Sequence, residues 1–116
     1  MSPITTAKWT LALGTAFVFA YFGIVKFTEP SLWIFWMPDW MDGLFGMNNH
    51  TWMNITAVAE LVMAVMVLVP VRMLQKVGAL LASLHLVAIL TQVGWNETAV
   101  RDLGLLCMTV ALWYLT

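Results

Sequence analysis

The chain has 116 residues, of which 62% are hydrophobic and only 9% are charged, and its mean hydropathy is +0.88. A soluble domain carries roughly 25% charged residues, and a fold of this size could not bury so much apolar surface, so the composition predicts one integral membrane domain over residues 1–116. The net charge of −1 excludes a nucleic-acid surface, and the single cysteine, Cys107, excludes an internal disulfide or dithiol pair.

Four apolar segments follow one another along the chain. Each is long enough, or nearly so, to cross a bilayer at about 1.5 Å per residue, and lipid requires the backbone groups of such a segment to be paired within a helix. The last three segments are joined by short connections, which favour antiparallel neighbours. We therefore predict an all-α, integral membrane four-helix bundle with spans at about 6–27, 53–71, 74–95 and 99–115.

The connection between the first two spans is aromatic. Residues 31–46 read SLWIFWMPDWMDGLFG, and their large apolar side chains recur at helical spacing. We predict a short amphipathic helical segment at the membrane surface, broken near Pro38. Because Trp prefers the headgroup level, this segment is an aromatic belt at the interface or, alternatively, a lid or a surface that binds a partner. The partner interface would consist of Trp33, Trp36, Trp40 and Leu44.

Polar residues converge at one depth. By helical rise Glu60 lies about 10 Å into the second span, and His85 lies about 13 Å from the end of the third. Apart from Lys8 and Lys76, which lie within the first few residues of their spans, the charged residues and histidine of the spans fall in the half that adjoins the aromatic connection, and the opposite half is predicted to be plain hydrocarbon. The predicted polar cluster, or ligand-binding site, comprises Lys26, Glu60, His85, Gln92, Arg101 and Asp102.

A charge at the position of Glu60 needs a partner, because an ionisable residue in a span costs about 2.5–3.5 kcal/mol. Arg101 is the favoured partner, since its guanidinium binds a carboxylate through two hydrogen bonds. The cluster is then an ion-pair network that fixes helix order, a site for a polar head group, or a proton relay. No catalytic triad, phosphate loop or metal-ligand cluster is visible, so we predict no catalytic residue and no metal.

Basic residues set the orientation. Lys8, Arg72 and Lys76 would lie on one side of the membrane, and Lys26 and Arg101 on the other. We predict a multi-pass protein of the plasma membrane with both termini in the cytoplasm and the Trp-rich loop outside.

Several short motifs follow one another along the chain. The first span ends in Gly23-Ile24-Val25-Lys26, Pro38 lies in the aromatic loop, Ala59-Glu60-Leu61 lies in the second span, and Arg72 follows it; residues 96–103 open the fourth span with Asn-Glu and Arg-Asp-Leu. In these features the chain resembles the DoxX-like proteins, small four-helix membrane proteins that include the small membrane subunit of archaeal thiosulfate:quinone oxidoreductase.

The resemblance implies a four-helix bundle that associates with membrane redox systems. The chain departs from the family pattern after Glu60, where glycines are frequent in the family but Met63 and Ala64 stand here. Helix packing at this point is therefore expected to differ, because small residues allow close approach.

We expect an accessory subunit of a larger membrane redox complex, with other membrane subunits and the bilayer as partners. It would carry no covalently bound or metal cofactor, and its polar cluster would belong to a quinone or lipid pocket. One alternative is a stand-alone or two-subunit quinone-linked oxidoreductase of the DoxX/DoxD type. The other is a small transporter or proton-conducting protein that uses Glu60 and His85.

Overall fold

The computed structural model describes all 116 residues and contains four long helices and no strand. These are α1 (Pro3–Thr28), α2 (Asn49–Leu68), α3 (Arg72–Val93) and α4 (Glu97–Leu115). The predicted all-helical fold with four long apolar helices is confirmed.

The bounds of α2 differ from the sequence prediction by a few residues. The helix begins at Asn49, because the side chain of Asn48 accepts a hydrogen bond from the backbone of Thr51 and caps it. It ends at Leu68, because Val69 precedes Pro70, and a residue before proline is driven out of the helical conformation.

The four helices pack as an antiparallel ring. Each helix lies against its neighbours in the chain, and α4 closes the ring against α1. The ring is tight because its buried surface consists mainly of small side chains, which allow helix axes to approach closely. The buried alanines are Ala12, Ala16, Ala57, Ala64, Ala79, Ala82 and Ala99.

Most of the apolar helix surface faces away from the bundle. In each helix only 22–33% of the most apolar 18-residue stretch is buried inside the protein. Large side chains such as Phe17, Val65 and Leu84 are exposed on the outer surface. All four helices are long and apolar enough to cross a membrane.

The connection from α1 to α2 consists of four short 3₁₀ turns, where the sequence predicted a short helical segment. The turns are Pro30–Leu32, Ile34–Trp36, Asp39–Met41 and Leu44–Gly46. The predicted break near Pro38 is present, because this residue is extended between the second and third turns. Gly43 and Gly46 have positive φ angles, which interrupt any continuous helix further on.

The half of the bundle distant from this connection is more polar than predicted. Ser83 donates a hydrogen bond to the backbone of Ala79 and lies 2.8 Å from Thr109 Oγ1, and buried Gln75 donates to the carbonyl of Val67 at 3.0 Å. The prediction that this half contains only hydrocarbon was wrong. Hydroxyl and amide groups carry no charge, so the bundle tolerates them once they are paired by hydrogen bonds.

Basic side chains hold the end of α4 against the start of α3. The Arg72 guanidinium donates to the carbonyl of Thr116, and Lys76 donates to the carbonyl of Trp113 at 3.1 Å. Cations are favourable at a helix C-terminus, where the last carbonyls lack intrahelical partners.

At Gly23, α1 packs closely against α2. A Cβ atom at this position would lie 2.8 Å from Leu61 Cγ and 3.0 Å from the carbonyl oxygen of Ala57. Real Cβ atoms do not make contacts this short, and the backbone oxygen cannot rotate away. The absence of a side chain at Gly23 therefore sets the distance between the two helices.

We expect Gly23→Ala to destabilise the bundle by about 1–3 kcal/mol, the usual cost of overpacking. Gly104→Ala is the matched control, because a Cβ atom there would meet nothing within 4 Å. Thermal unfolding of both variants in detergent, followed by circular dichroism, compares them. Equal midpoints for the two variants would contradict the close approach at Gly23.

Candidate functional site

Lys26 and Glu60 form a buried ion pair between α1 and α2. Lys26 lies in the last turn of α1, one helical turn after Gly23, and its Nζ atom contacts Oε1 of Glu60 in the middle of α2. The side chains are 13% and 3% exposed, respectively. The carboxylate is therefore matched by a cation that arrives from the neighbouring helix.

The predicted pair between Glu60 and Arg101 is not formed. Arg101 Nε instead lies 3.2 Å from Oδ1 of Asp102, its neighbour in the chain, and the guanidinium carbon lies 4.6 Å from the ring centre of Phe22. The Arg101 side chain is 44% exposed, whereas that of Asp102 is 4% exposed. The close approach at Gly23 gives Lys26 the position beside Glu60 that sequence analysis assigned to Arg101.

His85 approaches the same carboxylate from α3. Its Nε2 atom lies 3.8 Å from Glu60 Oε1, which is too far for a hydrogen bond. That nitrogen is buried and has no hydrogen-bond partner in the protein. The imidazole also lies 6.0 Å from the ring of Phe19 on α1, measured between centroids.

These side chains line a cavity of about 430 Å³. It lies between the end of α1, the first half of α2, the second half of α3 and the start of α4, and the aromatic loop covers it. The volume falls in the range of small-molecule sites in proteins. All six residues of the predicted polar cluster line it, together with apolar residues that include Val18, Phe19, Phe22, Leu86, Ile89 and Leu105.

Three of the four residues predicted for a partner interface also line the cavity. Trp33, Trp36 and Trp40 belong to its wall, whereas Leu44 lies outside it. The indole Nε1 of Trp33 is buried without a hydrogen-bond partner, and the indole of Trp40 donates to Gln92 Oε1 at 3.2 Å. The tryptophans therefore face the protein's own bundle as well as its surroundings.

The start of α2 holds the aromatic loop in place. The Asn49 side chain donates to the carbonyl of Pro38 at 3.1 Å, and the Asn49 backbone donates to the Asp42 carboxylate at 2.9 Å. Trp52 adds a bond from its indole to the carbonyl of Leu44 at 3.3 Å. These bonds hold the loop over the end of the bundle that contains the cavity.

The aromatic contact between Phe22 and Trp33 in the cavity wall was not predicted from the sequence. Phe22 contacts Trp33 edge to face, with 5.2 Å between ring centroids, and also carries the Arg101 guanidinium. Helical spacing could have indicated that Phe22 belongs to the site, because Phe22 precedes Lys26 by four residues and therefore shares its face of α1. By the same rule Thr56 shares a face with Glu60, and it also lines the cavity.

The cavity wall is mostly apolar, and the positive and negative side chains in it are equal in number. Lys26 and Arg101 supply two cations, and Glu60 and Asp102 supply two carboxylates. The Trp33 and His85 nitrogens have no hydrogen-bond partner within the protein. This arrangement can hold an amphipathic molecule that has an apolar body and a small polar head.

The ion-pair assignment predicts a specific energetic coupling. In a double-mutant cycle, Lys26→Met and Glu60→Gln should be non-additive by about 0.5–3 kcal/mol in the free energy of unfolding, because either single change leaves a buried charge without its partner. The matched cycle of Arg101→Leu with Glu60→Gln should be additive within about 0.5 kcal/mol. Unfolding in mixed micelles measures both cycles. Coupling in the second cycle alone would restore the sequence-based pairing.

Comparison with known proteins yields one family. No curated protein matches the chain, and no solved structure matches it. The sequence model of a family described as a domain of unknown function, DUF8561, matches residues 15–102. This range contains most of α1, the aromatic loop, α2, α3 and the polar residues of the cavity. Because the match covers well over half of the chain, the protein belongs to the DUF8561 family.

Proposed function

We propose that this protein spans the membrane four times and binds an amphipathic molecule, a quinone or a lipid, in the cavity beneath the aromatic loop. It would do so as an accessory subunit of a membrane redox complex. The single observation that carries the proposal is the joint placement of the six residues of the polar cluster in one cavity whose remaining wall is mostly apolar.

The outward-facing surface of the bundle supports insertion in a membrane. Apolar side chains cover the outside of all four helices, and so large an apolar surface is unfavourable in water. The small buried core of alanines is also typical of helices that associate in lipid, where close van der Waals packing replaces the hydrophobic effect.

The proposed orientation places both termini in the cytoplasm. Lys8, Arg72 and Lys76 lie toward the end of the bundle opposite the aromatic loop, in agreement with the cytoplasmic excess of basic residues. The aromatic loop and the cavity would then lie in the outer half of the membrane.

Cysteine labelling tests this orientation. In a Cys107→Ala background, Ser31→Cys in the aromatic loop should react with a membrane-impermeant maleimide in intact cells. Exposed Met73→Cys, at the start of α3, should react only after the cells are permeabilised. Labelling of both variants after permeabilisation controls for accessibility. Labelling of Met73→Cys alone in intact cells would reverse the topology.

The residues present fit a quinone or a lipid head group. The cavity combines charged and polar side chains with a mostly apolar wall, and the Trp33 and His85 nitrogens, which lack partners in the protein, would bond with oxygen atoms of a bound molecule. A quinone, when bound, would supply the electron-accepting chemistry. The protein's own residues would bind it, orient its ring and keep water from its apolar part.

The accessory role is supported by motifs and by exposed surface. Lys26 and Glu60 lie in two of the motifs that resemble the DoxX-like proteins and form the ion pair at the cavity; that resemblance would connect the chain to membrane redox systems. Phe35 and Phe45 of the aromatic loop are exposed and lie outside the cavity. Exposed aromatic side chains of this kind suit contact with other membrane subunits.

Gentle purification tests the accessory role. We expect the protein to co-purify with other membrane subunits and with a bound quinone or lipid, both identified by mass spectrometry. Phe35→Ala should weaken the assembly while leaving the cavity intact. Phe17→Ala is the control, because Phe17 is equally apolar and exposed but lies on the outward face of α1.

The outcome also decides between this proposal and the enzyme alternative. A purified protein that runs as a monomer and reduces a quinone without a partner would contradict the accessory role and support a stand-alone quinone-linked oxidoreductase. An assembly that is unaffected by Phe35→Ala would place the subunit interface elsewhere than the aromatic loop.

A further inference from the structure

We propose that the cavity selects an uncharged amphipath whose head group carries hydrogen-bond acceptors, and that Trp33 and His85 donate the bonds that hold this head group. The inference rests on the proposed function, since it specifies the chemistry of the molecule that the same cavity would bind. It follows from which charges in the cavity are already paired and which nitrogens are not.

Neither charge of the Lys26–Glu60 pair is available to bind a ligand. Lys26 and Glu60 are in direct contact, and Glu60 is almost completely buried. An anionic head group that took Lys26 would leave the Glu60 carboxylate buried without a cation, which is strongly unfavourable. A cationic head group that took Glu60 would leave Lys26 in the same condition.

The second pair neutralises the remaining charge. Arg101 contacts Asp102, whose carboxylate is buried at the start of α4, and the guanidinium lies over the face of Phe22. An anion that approached Arg101 would therefore also approach a buried carboxylate. The formal charges of Lys26, Arg101, Glu60 and Asp102 sum to zero, so the cavity offers no net attraction to a charged head group.

The unpaired nitrogens define what the head group must offer. The indole N–H of Trp33 can only donate, so its missing partner is an acceptor. His85 Nε2 faces the Glu60 carboxylate at 3.8 Å, and a negative neighbour favours the tautomer that carries its proton on that nitrogen. Both groups are therefore donors, and both are buried without an acceptor.

Carbonyl oxygens meet this requirement without adding charge. A quinone-type ring presents two carbonyl oxygens, and a neutral glyceride presents ester carbonyls. The apolar walls formed by residues such as Phe19, Leu86 and Leu105 suit the hydrocarbon part of either molecule. The shared chemistry is an uncharged, acceptor-bearing head on an apolar tail, and experiment separates the two sources.

The test measures equilibrium dissociation constants of the full chain in uncharged detergent. Three probes are used: a decyl-substituted benzoquinone, dioctanoylglycerol and dioctanoyl phosphatidate, which differs from the glyceride by its anionic phosphate. We expect the benzoquinone, the glyceride or both to bind at least about tenfold tighter than the phosphatidate, and the tighter of the two identifies the source.

Variants of the two donors test their role. Trp33→Phe and His85→Phe each remove the donor but keep a ring, and each should weaken binding of the uncharged probe by about twofold to tenfold, the range of one hydrogen bond. His85→Gln restores a donor and should recover part of that loss. Trp95→Phe is the control, because Trp95 is 79% exposed and lies outside the cavity. Circular dichroism confirms the fold of each variant.

The failures are distinguishable. Phosphatidate binding as tight as that of the uncharged probes, or unchanged affinity in both Trp33→Phe and His85→Phe, would overturn the inference while leaving the binding function in place. Failure of all three probes to bind the unaltered protein would overturn both.

Discussion

The packing of α1 on α2 and the pairing of the other charged side chains depend on the buried contact between Lys26 and Glu60. A carboxylate in the middle of an apolar helix is tolerated only when a cation reaches it, and Lys26 reaches it because Gly23 lets α1 approach α2. That approach fixes the α1–α2 edge of the bundle. With the carboxylate already matched, Arg101 pairs with Asp102 and His85 keeps a free nitrogen.

The cavity and the aromatic loop form one structural unit. The loop contributes three tryptophans to the wall, and the start of α2 fixes the loop through Asn49. A series of contacts runs inward from this loop: Trp33 contacts Phe22 edge to face, and the Arg101 guanidinium lies over the Phe22 ring. A continuous set of contacts therefore links the surface turns to the buried charges, so the shape of the cavity depends on residues that are far apart in the chain.

The four helices and the members of the polar cluster could be predicted from the sequence because both depend on local sequence pattern. Apolar runs of this length specify helices, and helical rise alone places Glu60 and His85 at a common depth. The pairing within the cluster depends on the distance between helices, which Gly23 sets through a contact with Ala57 and Leu61 that no local pattern reveals. The 3₁₀ turns of the loop were missed because apolar spacing alone does not report the positive φ angles of Gly43 and Gly46. The Ser83–Thr109 contact was missed because uncharged groups barely change hydropathy.

The attachment of the aromatic loop is uneven. Three hydrogen bonds join the loop to the first turns of α2, whereas the single bond from Trp40 to Gln92 joins it to α3. The α3 side of the loop is therefore held by fewer hydrogen bonds than the α2 side. If that one bond were lost, the α3 side of the loop would have no hydrogen bond to the bundle, and the cavity would be least covered beside Gln92.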